Sequence, residues 1–189
     1  GFIAGLARVF RLLDLPSESF NDGINIPVIE RGVEMRGVAM AYPDGRVALK
    51  DINFTAKLGE IVALVGPTGA GKTSLAYLIP SFLQASSGTV CIDGIDIKDI
   101  SVPSLRKQIA YVFQETQLFS DSIAENIRYG NNAASIAEVR EAARTAGADD
   151  FIMALPEGYD TNLGTVTSKL SVGQKQRISI ARGLLKESK

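Results

Sequence analysis

Histidine is absent from the 189 residues, and cysteine occurs once, at Cys91. Without imidazole, no step can use the one side chain that titrates near neutrality when unperturbed. A single cysteine excludes an intramolecular disulfide and a cysteine-rich zinc site, and it fits a reducing compartment. An excess of one charge is also missing: 20 Lys and Arg face 21 Asp and Glu, for a net charge of -1. No global basic field therefore argues for nucleic acid. No apolar run approaches the roughly 18 residues that a membrane-spanning helix needs. What remains is a globular composition, 46% hydrophobic and 22% charged, on a chain long enough for one domain with a real core. The chain starts at Gly1 and ends in ARGLLKESK, and both ends are expected to be cuts in a longer polypeptide.

Periodicity divides the chain. In GFIAGLARVFRLLDL, Phe2, Leu6, Val9, Phe10 and Leu13 share one helical stripe, which Pro16 ends. Residues 16–31 are turn-rich and polar, as in a linker. VEMRGVAMAY and LKDINFTAKLG flank the turn PDGR, which predicts an antiparallel hairpin over 33–59. IVALVG is a short apolar run without alternation, which fits a buried parallel strand. A helix is expected from the following loop to about Phe82, then a short strand pair from TVCIDG and IDIKDI, then a strand from IAYVFQ. From about Ser120 to Leu155 the pattern turns helical, 160–169 is irregular, and Ser171 opens a last helix over 172–187. The order predicts an α/β core with a helical insertion between Gln114 and Ser171.

The stretch GPTGAGKTS, Gly66 to Ser74, fits G-x-x-x-x-G-K-[ST] in full, through Gly66, Pro67, Thr68, Gly69, Ala70, Gly71, Lys72 and Thr73. Glycines let successive N–H groups turn inward as an anion nest. The helix that follows points its positive end at the same anion. In such a loop Lys72 reaches the β- and γ-phosphates, and the Thr73 hydroxyl ligates Mg²⁺. A strand before and a helix after are the context that separates this loop from a plain glycine-rich turn.

A second stretch, LSVGQKQR, runs from Leu170 to Arg177. Ser171 is placed to cap the next helix, and Gly173 lets a group approach its first turn. A second anion site and a plain capped amphipathic helix explain these residues equally well. Together, the two motifs resemble the ATP-binding subunit of ABC transporters, where a signature LSGGQ lies about this far after the phosphate loop. AYPDGRVALKDINFTAKLGE resembles the stretch that ends in the adenine-stacking aromatic, here Tyr42. YVFQETQLFSDSIAENIRYG resembles the Q-loop, here Gln114, with the segment that meets the membrane domain. GFIAGLARVFRLLDLPSE resembles the connector of exporter-type subunits.

The resemblance implies a P-loop NTPase core with an antiparallel β subdomain and a helical insertion subdomain at about 119–170, incomplete at its C-terminal end. It implies a connector over 1–31 and an ATP-binding domain over 32–189. Lys72 and Gln114 are the expected catalytic residues. Tyr42, Gly66 to Ser74, Ser171, Val172, Gly173 and Gln174 are expected to bind ATP, and Thr73 and Gln114 to hold Mg²⁺. The implied partners are a second ATP-binding domain, packed head to tail, and a transmembrane domain, with no nucleic acid. The implied place is the cytoplasmic face of a membrane.

Three departures qualify the match. Val172 stands where the family signature has its second glycine, adding bulk and a stiff side chain beside the γ-phosphate. GTVTSK, before the signature, lacks the acidic residue that exporters often carry there. The Asp-Glu pair that holds the metal and activates water, and the later histidine, are not in the chain. Asp93 follows an apolar run but is succeeded by Gly94, and its setting is that of a hairpin turn. The 189 residues alone are thus expected to hold ATP without hydrolysing it, and to expose apolar surface where a sheet strand is missing. A soluble ABC-type ATPase acting on DNA or ribosomes, and a non-catalytic nucleotide-binding module, are the competing expectations.

Overall fold

The computed structural model describes residues 23–166 and 170–186, with Leu6, 9–11 and 13–14 near the amino end. Most of the expected 1–15 helix, and part of GTVTSK, lie outside the described residues. Leu6, Val9, Phe10 and Leu13 are helical and exposed.

Two cores organise the described chain. The first is built on a four-stranded antiparallel sheet. Its strands are β1 (Gly32–Ala41), β2 (Val47–Lys57), β3 (Ser87–Ile92) and β4 (Ile95–Asp96), in the spatial order β2-β1-β3-β4. The register shifts between Met35 and Val38. This bulge lets Met35 and Val38, three residues apart, both face the core beside Met40. Gly37, at the bulge with φ 57°, meets β3 so closely that a Cβ at Gly88 would fall 2.3 Å from the Gly37 oxygen. Leu49, Val90 and Ile92 complete the sheet face, and Leu75 and Leu78 of helix α1 (Lys72–Leu78) pack on it with Leu105 of α2 (Val102–Lys107).

Residues 24–31, expected as linker, are docked on this unit. Ile24 forms a parallel bridge with Ile100, Ser104 Oγ accepts from the Ile26 N–H, and Ile26 and Ile29 are buried. The Asp93 carboxylate accepts N–H bonds from Glu30, Arg31 and Gly32 at 2.7–2.8 Å. Burial pushes its pKa up, but the three donors outweigh this and hold it below the ordinary aspartate value. Asp93 is thus a backbone anchor in a turn.

The second core is helical. It contains α3 (Ile123–Arg128), α4 (Ile136–Thr145), α5 (Asp149–Met153), the single turn α6 (Leu163–Val166) and α7 (Val172–Leu185). Ile123, Ile127, Val139, Ile152, Leu163 and Ile178 are fully buried there. Small residues Ala142, Ala143 and Ala181 sit in the same cluster, where α4 and α7 meet. A capping box between Ser135 and Glu138 starts α4. Fully buried Asn126 ties the insertion to its approach segment. Its amide nitrogen donates to the carbonyls of Phe119 and Ser122, and its oxygen accepts from the Phe119 N–H.

Five local expectations are corrected. IVALVG and IAYVFQ are not strands. The former exposes Ile61 at 98% and Val65 at 91%, and Val112 and Phe113 of the latter are also exposed. A strand needs a hydrogen-bonded neighbour, and among the described residues neither segment has a ladder partner. The helix after the loop stops at Leu78 instead of Phe82, just before Pro80, whose ring nitrogen has no N–H to offer the helix. IDIKDI pairs only at Ile95–Asp96, after which the Asp96 side chain accepts from the Lys98 N–H and starts a 3-10 turn. The irregular 160–169 stretch contains α6.

Candidate functional site

The loop before α1 combines three left-handed or extended glycines. Gly69 and Gly71 have φ of 84° and 86°, and Gly66 has φ 156°. Only glycine fits at Gly71, since a Cβ there would lie 2.4 Å from the Ala48 oxygen of β2. The Ala70 N–H donates to the Pro67 carbonyl and closes the turn. Gly71 is also the N-cap of α1, and no side chain caps the helix. Its first N–H groups are left without side-chain acceptors. Lys72 folds back over the loop, its Nζ donating to the carbonyls of Gly66 and Pro67 at 2.8 and 2.7 Å.

Tyr42 follows the end of β1 at the same place. Its hydroxyl shares a 2.8 Å hydrogen bond with the buried Ser74 Oγ, which fixes the ring relative to α1. Tyr42, Thr68, Gly69, Lys72, Thr73 and Gln114 line one cavity of about 470 Å³. Thr73 and Gln114 also border an adjoining cavity of about 730 Å³, which Gln176 of α7 reaches. Thr73 and Gln114, the expected metal pair, thus line the same two cavities. Both offer neutral oxygen donors, the type that suits Mg²⁺. Among the described residues, no cluster of three or more His, Cys, Asp or Glu side chains forms a metal site.

The residues expected from the second motif sit elsewhere. Ser171, Val172, Gly173 and Gln174 do not line either cavity. Ser171 and Gln174 form a capping box: Ser171 Oγ accepts from the Gln174 N–H at 3.2 Å, and Gln174 Oε1 accepts from the Ser171 N–H at 2.8 Å. The Ser171 hydroxyl proton stays available to an outside acceptor. Ser171, Val172 and Gly173 are exposed, Val172 at 78%. A Cβ at Gly173 would meet nothing nearer than Ser171 Oγ at 4.0 Å, so packing within the chain does not require glycine there.

Two features escaped the sequence. Arg46 lines the cavity of Lys72, with its guanidinium carbon 4.6 Å from the centre of the Tyr42 ring. Its place four residues after the aromatic, across the PDGR turn, was the available signal. Arg182 of α7 donates to the Asn126 carbonyl and side chain and to the Gln117 carbonyl, and burial lowers its pKa. Lys186 donates to the carbonyls of Arg106 and Ile109. The two side chains fasten α7 to both ends of the segment that carries Gln114. Contacts this distant in sequence leave no local pattern.

The family described as ABC transporter matches residues 49–189. An ATP-dependent lipid A-core flippase of Syntrophus aciditrophicus is 48% identical over 188 residues, covering 98% of this chain and 31% of that protein. A protein of the same name from Legionella pneumophila is 46% identical over 186 residues, covering 98% of this chain and 32% of its own. A solved structure of a bacterial Atm1-family ABC exporter with ATP bound superposes with a TM-score of 0.88 at 39% identity, covering 98% of this chain and 33% of that one. The chain spans about a third of the length of these relatives.

Proposed function

The chain belongs to the ABC transporter family, and on that premise we propose that it is the ATP-binding part of a membrane exporter, coupling ATP binding and hydrolysis to transport. The observation that carries this is the single cavity shared by Tyr42, Lys72, Thr73 and Gln114 at the glycine loop. In this reading the base stacks on Tyr42, and the loop amides and Lys72 hold the phosphates. Thr73 and Gln114 would hold Mg²⁺, which supplies charge neutralisation on the β- and γ-phosphates when bound. Lys72 must first exchange its two carbonyl acceptors for phosphate oxygens.

The second motif belongs to the same reading. Its exposed N-terminal turn, with Ser171 able to donate and Gly173 free of internal packing, suits the γ-phosphate of ATP held by a second ATP-binding domain. ATP between two such surfaces favours the closed pair over the open one, and that difference is what coupling requires. Val172 stands beside that contact and makes the site tighter in space than a glycine would. The residues before 32 are proposed as connector and those after as the ATP-binding domain, with its helical part at about 119–170. A transmembrane domain is the further partner, which places this domain at the cytoplasmic face of a membrane. The names of the flippase relatives favour a lipid cargo for the full-length protein.

The test uses Ser171→Arg in the full-length protein. Binding of ATP should stay within about twofold of wild type, since Ser171 is outside the phosphate cavity, while ATP turnover should fall by roughly 100-fold or more. Normal turnover in that variant would remove the second motif from the mechanism.

A further inference from the structure

The phosphate cavity carries two cations, Lys72 and Arg46, and no carboxylate among its lining residues. The two are held differently. Lys72 has two carbonyl acceptors. The Arg46 guanidinium makes no ion pair or hydrogen bond among the described residues, and it lies over the face of Tyr42. Arg46 is exposed, so water satisfies it, and its ring contact contributes little at such a site.

The backbone beneath Arg46 is fixed. The Tyr42 N–H donates to the Arg46 carbonyl at 2.9 Å, the Gly45 N–H donates to the Tyr42 carbonyl at 2.9 Å, and Asp44 Oδ1 accepts from the Arg46 N–H at 3.0 Å. The next residues, Val47 and Ala48, line the same cavity, and Ala48 packs against Gly71. The turn therefore holds the Arg46 Cα at the cavity mouth, and only its side chain needs to move. A planar guanidinium with five donors and no fixed partner matches a phosphate better than it matches an aromatic face.

We infer that Arg46 is a nucleotide-binding residue: it lies over the Tyr42 ring in this structure and turns onto the phosphate chain when a base takes the ring. This rests on the ATP-binding reading above and extends it by one residue. The ring serves in turn as a resting place for the cation and as a platform for the base. Arg46 thereby selects for charge on the ligand, and Tyr42 for its aromatic part.

The experiment titrates wild type, Arg46→Ala, Arg46→Lys and Lys72→Ala, each in the full-length protein, with MgATP, MgADP and adenosine by calorimetry at low and high salt. Arg46→Ala should bind ATP and ADP about 5- to 20-fold more weakly than wild type. Its adenosine affinity should stay within about twofold, and the loss should shrink as salt screens the charge. Arg46→Lys should recover part of the loss. ATP affinity unchanged or raised in Arg46→Ala would overturn the inference, and so would an equal loss for adenosine. If wild type binds ATP and Lys72→Ala does not, those two outcomes sink the role of Arg46 alone. If wild type binds no ATP, the ATP-binding reading fails and the inference with it.

Discussion

Helix α1 starts at Gly71, which offers no side chain to the first turn, whereas α7 starts at Ser171, locked with Gln174 in a reciprocal capping box. Both starts were read as anion sites, yet the fold has prepared them differently. The α1 end has no side chain capping its first amides, which is the arrangement the proposed phosphate site needs. The α7 end is already complete as a helix terminus. In the proposed function it adds only one hydroxyl proton and exposed amides to a ligand held mainly by another surface. A third cluster of N–H groups, at Glu30, Arg31 and Gly32, shows the remaining option: the chain fills it with its own carboxylate, Asp93. One kind of donor cluster is thus left uncapped at α1, closed by a capping box at α7 and filled by a carboxylate at Asp93.

Substitution separates the three. The largest effect is expected at α1. Gly71→Ala forces a Cβ to within 2.4 Å of the Ala48 oxygen at a φ of 86°. Chemical unfolding should show a loss of about 2–4 kcal/mol, accompanied by loss of nucleotide binding. A variant that keeps both would mean that the loop is less constrained than its contacts indicate. At α7, Ser171→Ala removes a cap and should cost about 1 kcal/mol, with ATP affinity at the phosphate loop unchanged. Gln174→Glu, which keeps a side-chain acceptor at the third helical position, should cost less than Ser171→Ala. A reversal of that order would deny the capping box its part in stability.

The smallest effect concerns pH. The folded pKa of Asp93 is depressed, so its contribution to stability is present above the unfolded value and lost as the pH falls through the folded one. The acid limb of the stability profile should therefore be shallower in Asp93→Asn than in wild type. Identical acid limbs would show that the three N–H donors do not favour the charged form.

How much of this was legible in the sequence depended on the range of the interaction. The glycine loop was legible because backbone angle and charge are specified residue by residue. The capping box was half legible: Ser171 was read as a cap, but Gln174 was read only as a ligand, although its spacing of three residues is the reciprocal half of the box. The hairpin was legible from alternation and the PDGR turn. The segments IVALVG and IAYVFQ were read as strands from composition alone, and composition does not supply a neighbour. Their exposed Ile61, Val65 and Phe113 show that a strand is a property of a pair. Docking of 24–31 was missed because polar turn residues hid two buried anchors, Ile26 and Ile29. The anchors of Arg182 on Asn126 and Lys186 on Ile109 join residues 56 and 77 positions apart.

The central claim is that the glycine loop is a nucleotide-phosphate site whose cation is Lys72. The most direct measurement is calorimetric titration of MgATP into the full-length protein and its Lys72→Ala variant. The account predicts that the variant loses affinity by roughly 100-fold or more while keeping the wild-type unfolding midpoint within a few degrees, since among the described residues Lys72 Nζ hydrogen-bonds only to loop carbonyls. Equal ATP affinity in the two proteins would contradict it.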